Sequence, residues 1–265
     1  MRNYDVIVLG AGAAGMMAAI EAGKRGRSVL VVDHAKAPGE KIRISGGGRC
    51  NFTNTQTRPD RFISKNPKFA VSALSRYTPE RFTNLVRTYG VSFHEKTLGQ
   101  LFCDGSSAQV VNLLTSEMNK AGVTLELAAG IEAVEKADPG YVVRLASGPV
   151  SATSLVIATG GKSIPRMGAT GLGYRLAEQF GLKLVETRPA LVPLTFEPRI
   201  LEHLAPLAGI STEAVVTANG RGFREALLFT HRGLSGPAIL QVSSYWREGD
   251  PVAVRLLPDA DVMAL

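Results

Sequence analysis

The clearest chemical pattern in the chain is a group of three glycines near its start, with the spacing G-x-G-x-x-G. They are Gly10, Gly12 and Gly15. Residues 5–9 before them form a continuous apolar run, which is typical of a strand buried in a parallel sheet. Residues 16–25 after them are mostly small and apolar, and they predict a helix. A strand, a glycine turn and a helix in this order indicate a site for the phosphates of a dinucleotide.

Each glycine has its own role in such a turn. Gly10 permits the tight turn, Gly12 leaves room for a pyrophosphate against the backbone, and Gly15 lets the helix pack close to the strand. Ala13 and Ala14 occupy the two positions between Gly12 and Gly15. Free N–H groups and the positive end of the helix dipole face the phosphate at that position.

An acidic residue, Asp33, ends the second apolar strand, which covers residues 28–32. This position predicts that the carboxylate accepts hydrogen bonds from the hydroxyl groups of a ribose. The alternative is a glycine-rich turn in an ordinary βαβ unit. That alternative leaves Asp33 unexplained.

A second glycine cluster, Gly46, Gly47 and Gly48, lies in a segment from 34 to 54 that we expect to be a long ordered loop. Three successive glycines predict a backbone pressed against a flat or bulky ligand, and a glycine hinge is the alternative. Arg49 and Asn51, which follow, carry polar groups able to meet the polar atoms of a ring.

The elements that must position these residues follow from the periodicity of the sequence. Residues 79–89 and 106–120 predict helices, the first with Thr78 as its N-cap. Short strands are expected before residue 190 in six segments, namely 91–94, 101–103, 123–127, 131–135, 141–145 and 155–158. Prolines become frequent from residue 189, and four further short strands are expected there, at 191–196, 212–218, 224–229 and 252–257. The sequence therefore predicts two domains, 1–189 and a β-rich one at 190–265.

Composition limits the class of protein. No apolar run is long enough to span a bilayer, and no export signal precedes the first strand, so we expect a cytoplasmic location and no membrane partner. The net charge of +7 is dispersed, with its densest patch at 36–49, which argues against a nucleic-acid partner. The pattern leaves the oligomeric state open.

Residues for other chemistries are sparse. The two cysteines, Cys50 and Cys103, do not form a CxxC pair, and a dithiol relay is not expected. Cys50 is either a thiol close to a bound ring or a small buried filler. The four histidines are far apart in the sequence, so no metal site is predicted, and no triad or carboxylate pair assigns a catalytic residue.

Four motifs carry a resemblance to a known family. They are 10–15 (GAGAAG), 44–51 (ISGGGRCN), 158–162 (ATGGK) with 168–173 (GATGLG), and 228–237 (LFTHRGLSGP). The chain resembles the bacterial NAD(P)/FAD-dependent oxidoreductases of the aminoacetone oxidase-like kind, which include a bile-acid dehydro-intermediate reductase.

The resemblance implies an α/β fold, with a two-dinucleotide-binding-type FAD domain, Rossmann-like with a parallel sheet, and an incomplete β-rich inserted domain. FAD would be the cofactor. Its pyrophosphate would lie on 10–15, and its adenosine ribose at Asp33. Further contacts would come from Lys41, Ser45, the glycines at 46–48, Arg49, Cys50, Asn51 and Thr53 toward the flavin, from Ile131 toward the adenine, and from Thr159, Gly160 and Gly161 on the third side.

Members of that family continue past the position that corresponds to Leu265 and return to the FAD domain, so the resemblance implies a truncated chain with weak FAD binding. The function it implies is electron transfer between a small molecule and NAD(P)H or oxygen through the flavin. Two alternatives stand beside it. The first is a non-catalytic remnant or binding module, and the second, weaker, is a flavoenzyme that acts on RNA.

Overall fold

The strand that precedes the first glycine cluster, β1 (Arg2–Leu9), lies inside a six-stranded sheet. The structure is a computed structural model, and it describes residues 1–259. Cα packing divides the chain into two units, Met1–Leu184 and Val185–Leu265. The predicted domain boundary after residue 189 stays a prediction, and each unit is described by itself.

The first unit contains nine strands and six α-helices within its described residues. The strands after β1 are β2 (Val29–Val32), β3 (Asn51–Asn54), β4 (Phe93–Glu95), β5 (Gln100–Cys103), β6 (Thr124–Glu126), β7 (Ile131–Lys136), β8 (Tyr141–Leu145) and β9 (Gly148–Ile157). The helices are α1 (Ala13–Gly23), α2 (Glu40–Ile44), α3 (Val71–Arg76), α4 (Pro79–Thr88), α5 (Ala108–Lys120) and α6 (Leu172–Gln179).

The six-stranded sheet has the order β6-β2-β1-β9-β8-β7. Its first four strands are parallel, and β8 and β7 add to β9 in antiparallel fashion. Parallel pairing aligns the carboxyl ends of β1, β2 and β9 at one edge, where ligands of such sheets bind. The prediction of a Rossmann-like α/β domain with a parallel sheet is confirmed.

Both faces of the central strands are buried, which explains their continuous apolar sequence. Alternate residues point to opposite faces, so that Val8 packs with α1 and α5 while Ile7 and Leu9 pack on the other side. On the second face, Ile7 and Leu9 share a core cluster with Leu176 of α6 and with Val143 of β8, a strand of the same sheet. The sheet below the glycine turn is therefore packed on both faces.

A charged cluster joins α1, α4 and α5 beside this core. Glu117 on α5 is buried, and its carboxylate accepts hydrogen bonds from Lys24 Nζ and from the Tyr89 hydroxyl, each at 2.7 Å. Lys120 Nζ adds a third, at 3.3 Å. These donors, Lys24 first among them, lower the pKa of Glu117 to about 2.

The segment 34–54 departs from the predicted loop. It contains α2, a 3₁₀ turn at Ser45–Gly48, and β3. β3 pairs with β5, and β5 pairs with β4, in an antiparallel sheet of order β3-β5-β4. The prediction of a long ordered loop was wrong for the residues of α2 and β3. β3 gave no local signal because its strand partner lies about fifty residues away in the chain. The predicted cap of α4 is confirmed, since Arg81 N donates to Thr78 Oγ1 at 3.3 Å.

The second unit is β-rich, as predicted. Its described strands and helices are β10 (Leu194–Thr195), α7 (Pro198–Leu204), β11 (Ser211–Ala218), β12 (Arg221–Thr230), β13 (Gly233–Ser235), α8 (Pro237–Ser243) and β14 (Ala253–Arg255). The strands form one antiparallel sheet of order β10-β13-β12-β11-β14. Ile239 and Val242 of α8 pack on this sheet against Leu227.

The motif at 228–237 lies in this second unit, where it joins β12, β13 and α8. A Cβ added to Gly233 would lie 2.2 Å from the Leu194 oxygen, and one added to Gly236 would lie 2.6 Å from the Ala226 oxygen. His231 occupies the exposed turn between β12 and β13. The glycines of this motif are therefore required by packing.

Candidate functional site

The first glycine turn joins β1 to α1 at the carboxyl edge of the sheet. Gly10 has a φ of +109°, and a Cβ there would lie 2.4 Å from the Ala158 oxygen at the end of β9. A Cβ on Gly15 would lie 1.8 Å from the Gly10 oxygen. Both glycines are needed for the close approach of β1, α1 and β9, as the sequence predicts.

Gly12 differs from its two neighbours. No heavy atom beyond the adjacent chain lies within 4 Å of a Cβ built on it, and its φ of −79° is open to any residue. Ala13 and Ala14, which follow, are exposed. The first intrahelical bond runs from Met16 N to the Gly12 oxygen, so the N–H groups of the turn before it have no acceptor within the helix. The space and the donors fit a phosphate group at the positive end of α1.

Asp33 lies at the end of β2, directly beside this turn. Its Oδ2 accepts from the backbone N–H of Ala11 at 2.6 Å, and its Oδ1 accepts from that of Ala35 at 2.9 Å. The Ala11 oxygen in turn accepts from Gly39 N at 2.9 Å. His34 Nδ1 also lies 3.3 Å from Asp33 Oδ1. Since a carboxylate has about four acceptor positions, Asp33 still has room to accept from a ribose hydroxyl. The sequence indicated the ribose role alone, whereas the structure adds the fixing of the turn.

The second glycine cluster lies in the 3₁₀ turn that precedes β3. All three glycines have positive φ, between 58° at Gly46 and 86° at Gly48. A Cβ on Gly46 would lie 2.7 Å from Asn51 N and from the Phe102 ring, whereas none on Gly47 or Gly48 would meet an atom within 4 Å. The backbone at these last two positions therefore faces open space, which is what a flat ligand requires.

The residues around the glycine cluster are held by the antiparallel sheet. Ser45 Oγ donates to the Ile42 oxygen at 2.8 Å, and Thr53 lies opposite Leu101 in the β3–β5 pair. The Asn51 amide is satisfied when its NH₂ group faces the Leu101 and Thr53 oxygens, at 3.2 and 3.1 Å. Arg49 is exposed. Asn51 is thus tied to its own sheet, while Arg49 points to solvent.

The segment after β9 closes the third side of this edge. Lys41 Nζ on α2 lies 3.1 Å from Ser163 Oγ and 3.4 Å from the Gly161 oxygen. A Cβ on Gly160 would lie 3.8 Å from the same Nζ. Thr159 is placed between Gly10 and α6, since its Oγ1 would meet a Cβ on Gly173 at 2.7 Å. Residues that are 120 apart in sequence therefore form one rim.

Ile131, the predicted adenine neighbour, begins β7 opposite Leu145. Its partly buried side chain packs against the core cluster that includes Leu9 and Val32, the last residues of β1 and β2. Two residues earlier, the backbone N–H of Ala129 donates to the backbone carbonyl oxygen of Asp33 at 2.9 Å. Ile131 is therefore placed on the Asp33 side of the edge.

Cys50 and Cys103 are both buried and both lie in the core cluster beneath the glycine loop. Burial raises the pKa of the Cys50 thiol. The pKa of Cys103 is raised to about 11, first by burial and then by the nearby Cys50 and Asp104. Such thiols have little thiolate at neutral pH, which favours the filler interpretation of Cys50.

Two features near the site carry no local sequence signal. The His94 ring on β4 stacks on Phe102 and lies 2.7 Å from Asp104 Oδ1. The contact between Lys41 and Ser163 joins segments distant in sequence.

Residues 1–259 contain no group of three or more His, Cys, Asp and Glu that could hold a metal ion. None of the helices within that range is long and apolar enough to cross a bilayer.

A family model described as HI0933-like protein Rossmann domain matches residues 4–235 of the chain. A ribosomal RNA dihydrouridine synthase of Escherichia coli (strain K12) is 51% identical over 263 residues, which cover 99% of this chain and 66% of that protein. The protein of the same name from Haemophilus influenzae is 44% identical over 268 residues, which cover 99% of this chain and 67% of that protein.

A 3-dehydro-bile acid delta(4,6)-reductase of Clostridium scindens is 29% identical over 251 residues, which cover 91% of this chain and 60% of that protein. The resemblance to a bile-acid reductase is thus found, but the two relatives of higher identity are both named ribosomal RNA dihydrouridine synthase. The chain spans about two thirds of the length of the curated relatives it matches. The chain belongs to the HI0933-like Rossmann-domain family.

Proposed function

We propose that this chain is part of an FAD-dependent oxidoreductase whose substrate is ribosomal RNA, in which it reduces a uridine to dihydrouridine. The observation that carries the proposal is the 51% identity, over 99% of the chain, to a protein named ribosomal RNA dihydrouridine synthase. This proposal adopts the RNA alternative and replaces the expectation that nucleic acid is not a partner.

The residues at the sheet edge fit FAD in three places. The free N–H groups at the start of α1 and the open space at Gly12 would hold the pyrophosphate. Asp33 would accept from the adenosine ribose, with Ile131 near the adenine. Gly47 and Gly48 would lie against the flavin, with Lys41 and Gly160 on the opposite rim. Bound and reduced, FAD would supply the hydride to one carbon of a C=C double bond such as C5–C6 of uracil, while the other carbon takes a proton from water and NAD(P)H is the source of electrons.

The protein's contribution is position and charge. Gly46 is packed against Phe102 and Asn51, which fixes the direction in which the two open glycines face. Lys41 Nζ holds the 161–163 segment against α2 and places a positive charge on the rim. Both features keep the binding surface rigid before a ligand arrives.

Disruption of the gene that encodes this chain tests the proposal directly. Nucleoside mass spectrometry of ribosomal RNA should show loss of dihydrouridine, and reverse transcription should map the lost position. A gene copy with Gly12→Val should fail to restore it, and an unmutated copy should succeed. Unchanged dihydrouridine in the ribosomal RNA of the disrupted strain would contradict the proposal.

A small-molecule substrate is the second candidate. The 29% identity to a bile-acid reductase favours it. NAD(P)H oxidation that depends on a small unsaturated carbonyl compound, together with unaltered ribosomal RNA in the disrupted strain, would favour this candidate over the first.

A further inference from the structure

The segment 58–77, between β3 and α4, exposes several large apolar side chains, and we call it the basic–aromatic segment. Phe69 is 79% exposed, and Phe62 is 48% exposed. Every residue from 61 to 69 is exposed. Two phenylalanine rings in water lose the free energy that their burial would contribute, so their exposure calls for an explanation.

The same segment is strongly basic. It carries five cationic side chains, Arg58, Arg61, Lys65, Lys68 and Arg76, against one carboxylate, Asp60. Arg58 pairs with that carboxylate at 3.0 Å. Within residues 1–259, the other four cations form no ion pair. The segment therefore presents positive charge that no neighbouring acid neutralises.

Both ends of the segment are anchored on the sheet that carries the second glycine cluster. Before it, Thr55 N donates to the Gly99 oxygen at 2.8 Å, directly after β3. After it, Phe82 of α4 packs edge-on against Phe52 of β3, with ring centroids 6.0 Å apart. The segment is therefore held next to the same strand that borders the proposed flavin side of the site.

This surface could be covered by a protein partner, either another protein segment or a second copy of the chain, or by nucleic acid. Either protein partner would cover the rings, but it would also take unpaired lysines and arginines out of water, which is strongly unfavourable unless each charge found an acid. A phosphate backbone supplies the missing negative charges at regular intervals, and bases supply flat partners for the rings. Charge complementarity thus favours nucleic acid.

We propose that the basic–aromatic segment is the docking surface for unpaired RNA, with Lys65 and Lys68 on phosphates and Phe62 and Phe69 stacked on bases. The inference rests on the proposed function and names where its substrate binds. Unpaired RNA is favoured because a base must leave its stack before an enzyme can reach it, and because only splayed bases can stack on aromatic side chains.

The test is the affinity of the 265-residue chain for a fluorescent single-stranded RNA and for the same sequence as a duplex, over a range of salt concentrations. The logarithm of the binding constant falls as the logarithm of the salt concentration rises. The double variant Lys65→Ala/Lys68→Ala should make this slope shallower by about 1.4, at about 0.7 per phosphate contact. Phe69→Ala should weaken single-strand binding roughly 5- to 150-fold, which corresponds to one lost base stack.

Matched controls separate this surface from general charge. Lys136 and Lys183 are exposed in the same unit but outside the segment, and Lys136→Ala/Lys183→Ala should keep most of the salt slope. Phe69→Tyr should keep the stacking and bind like the parent. Thermal unfolding of each variant checks that the changes are local, as expected for side chains this exposed.

Equal losses in the two lysine pairs, or unchanged binding in Phe69→Ala, would overturn the inference, as would a parent chain without salt-dependent RNA binding. A change in sedimentation in Phe69→Ala with RNA affinity intact would assign the surface to self-association instead. The proposed function is judged separately by dihydrouridine in ribosomal RNA. Dihydrouridine lost on gene disruption but restored by a Lys65→Ala/Lys68→Ala/Phe69→Ala copy would overturn this inference alone.

Discussion

The Asp33 carboxylate accepts a hydrogen bond from the backbone N–H of Ala11 at 2.6 Å, so the acid at the end of β2 holds the glycine turn at the end of β1. The other oxygen accepts from Ala35 N at 2.9 Å. The acid therefore shapes the glycine turn in the unliganded protein. Its loss has two separable consequences, one for the unliganded protein and one for the ligand.

For Asp33→Ala we expect a less stable unliganded protein, by roughly 1–3 kcal/mol, because the Ala11 N–H loses its acceptor. FAD affinity should fall more than tenfold, and FMN affinity should fall less, since FMN has no adenosine ribose. Asp33→Asn keeps one carbonyl oxygen and should lie between. Urea unfolding and flavin titration measure the two effects, and equal loss of FAD and FMN would leave Asp33 with the structural role alone.

Gly12 and Gly15 should respond oppositely to the same substitution. Gly12→Val should fold normally and lose FAD, because the side chain enters the open space that the phosphate needs. Gly15→Val should fail to fold, since its Cβ alone would lie 1.8 Å from the Gly10 oxygen. Circular dichroism and flavin content of the two proteins decide the matter. A flavin-loaded Gly12→Val protein would refute the phosphate assignment.

Gly47 offers a probe of the flavin side. Its φ of +66° suits asparagine, which tolerates the left-handed region, and open space lies beyond it. We expect Gly47→Asn to fold and to alter the absorption or fluorescence spectrum of bound flavin. Gly46→Asn is the contrast, because its Cβ would lie 2.7 Å from Asn51 N and should destabilise the loop. An unaltered spectrum at full occupancy in Gly47→Asn would place the flavin elsewhere.

Glu117 should make stability depend on acid pH. Its folded-state pKa of about 2 lies below the ordinary 4.5, so its ionised form stabilises the fold above about pH 4.5, and this contribution is lost as the pH falls toward 2. Glu117→Gln should lower the free energy of unfolding at pH 7 by roughly 2–3 kcal/mol and flatten its decline in acid.

The control for this variant is Glu21→Gln, which breaks only the exposed pair with Arg25. Its free energy of unfolding should change by less than about 0.5 kcal/mol. Denaturant unfolding between pH 7 and pH 3 compares the proteins. A Glu117→Gln protein with the parent's pH profile would assign the acid sensitivity to other carboxylates.

The sequence by itself determined the parts of the protein whose signals are local. The apolar run before Gly10, the glycine spacing and the small residues after it suffice for β1, the turn and α1, because each depends on neighbours a few residues away. The Thr78 cap of α4 is local for the same reason. Short alternating segments likewise predicted strands after residue 190, where the structure has an antiparallel sheet.

Tertiary structure decided what depends on partners distant in the chain. The β3 strand at 51–54 forms only because β5 lies beside it, and Lys41 meets Ser163 only because α2 and the end of β9 converge at one sheet edge. Cys50 and Cys103 share one core although no sequence spacing pairs them. Register and packing over such separations are set by burial of the whole domain, which local periodicity does not encode.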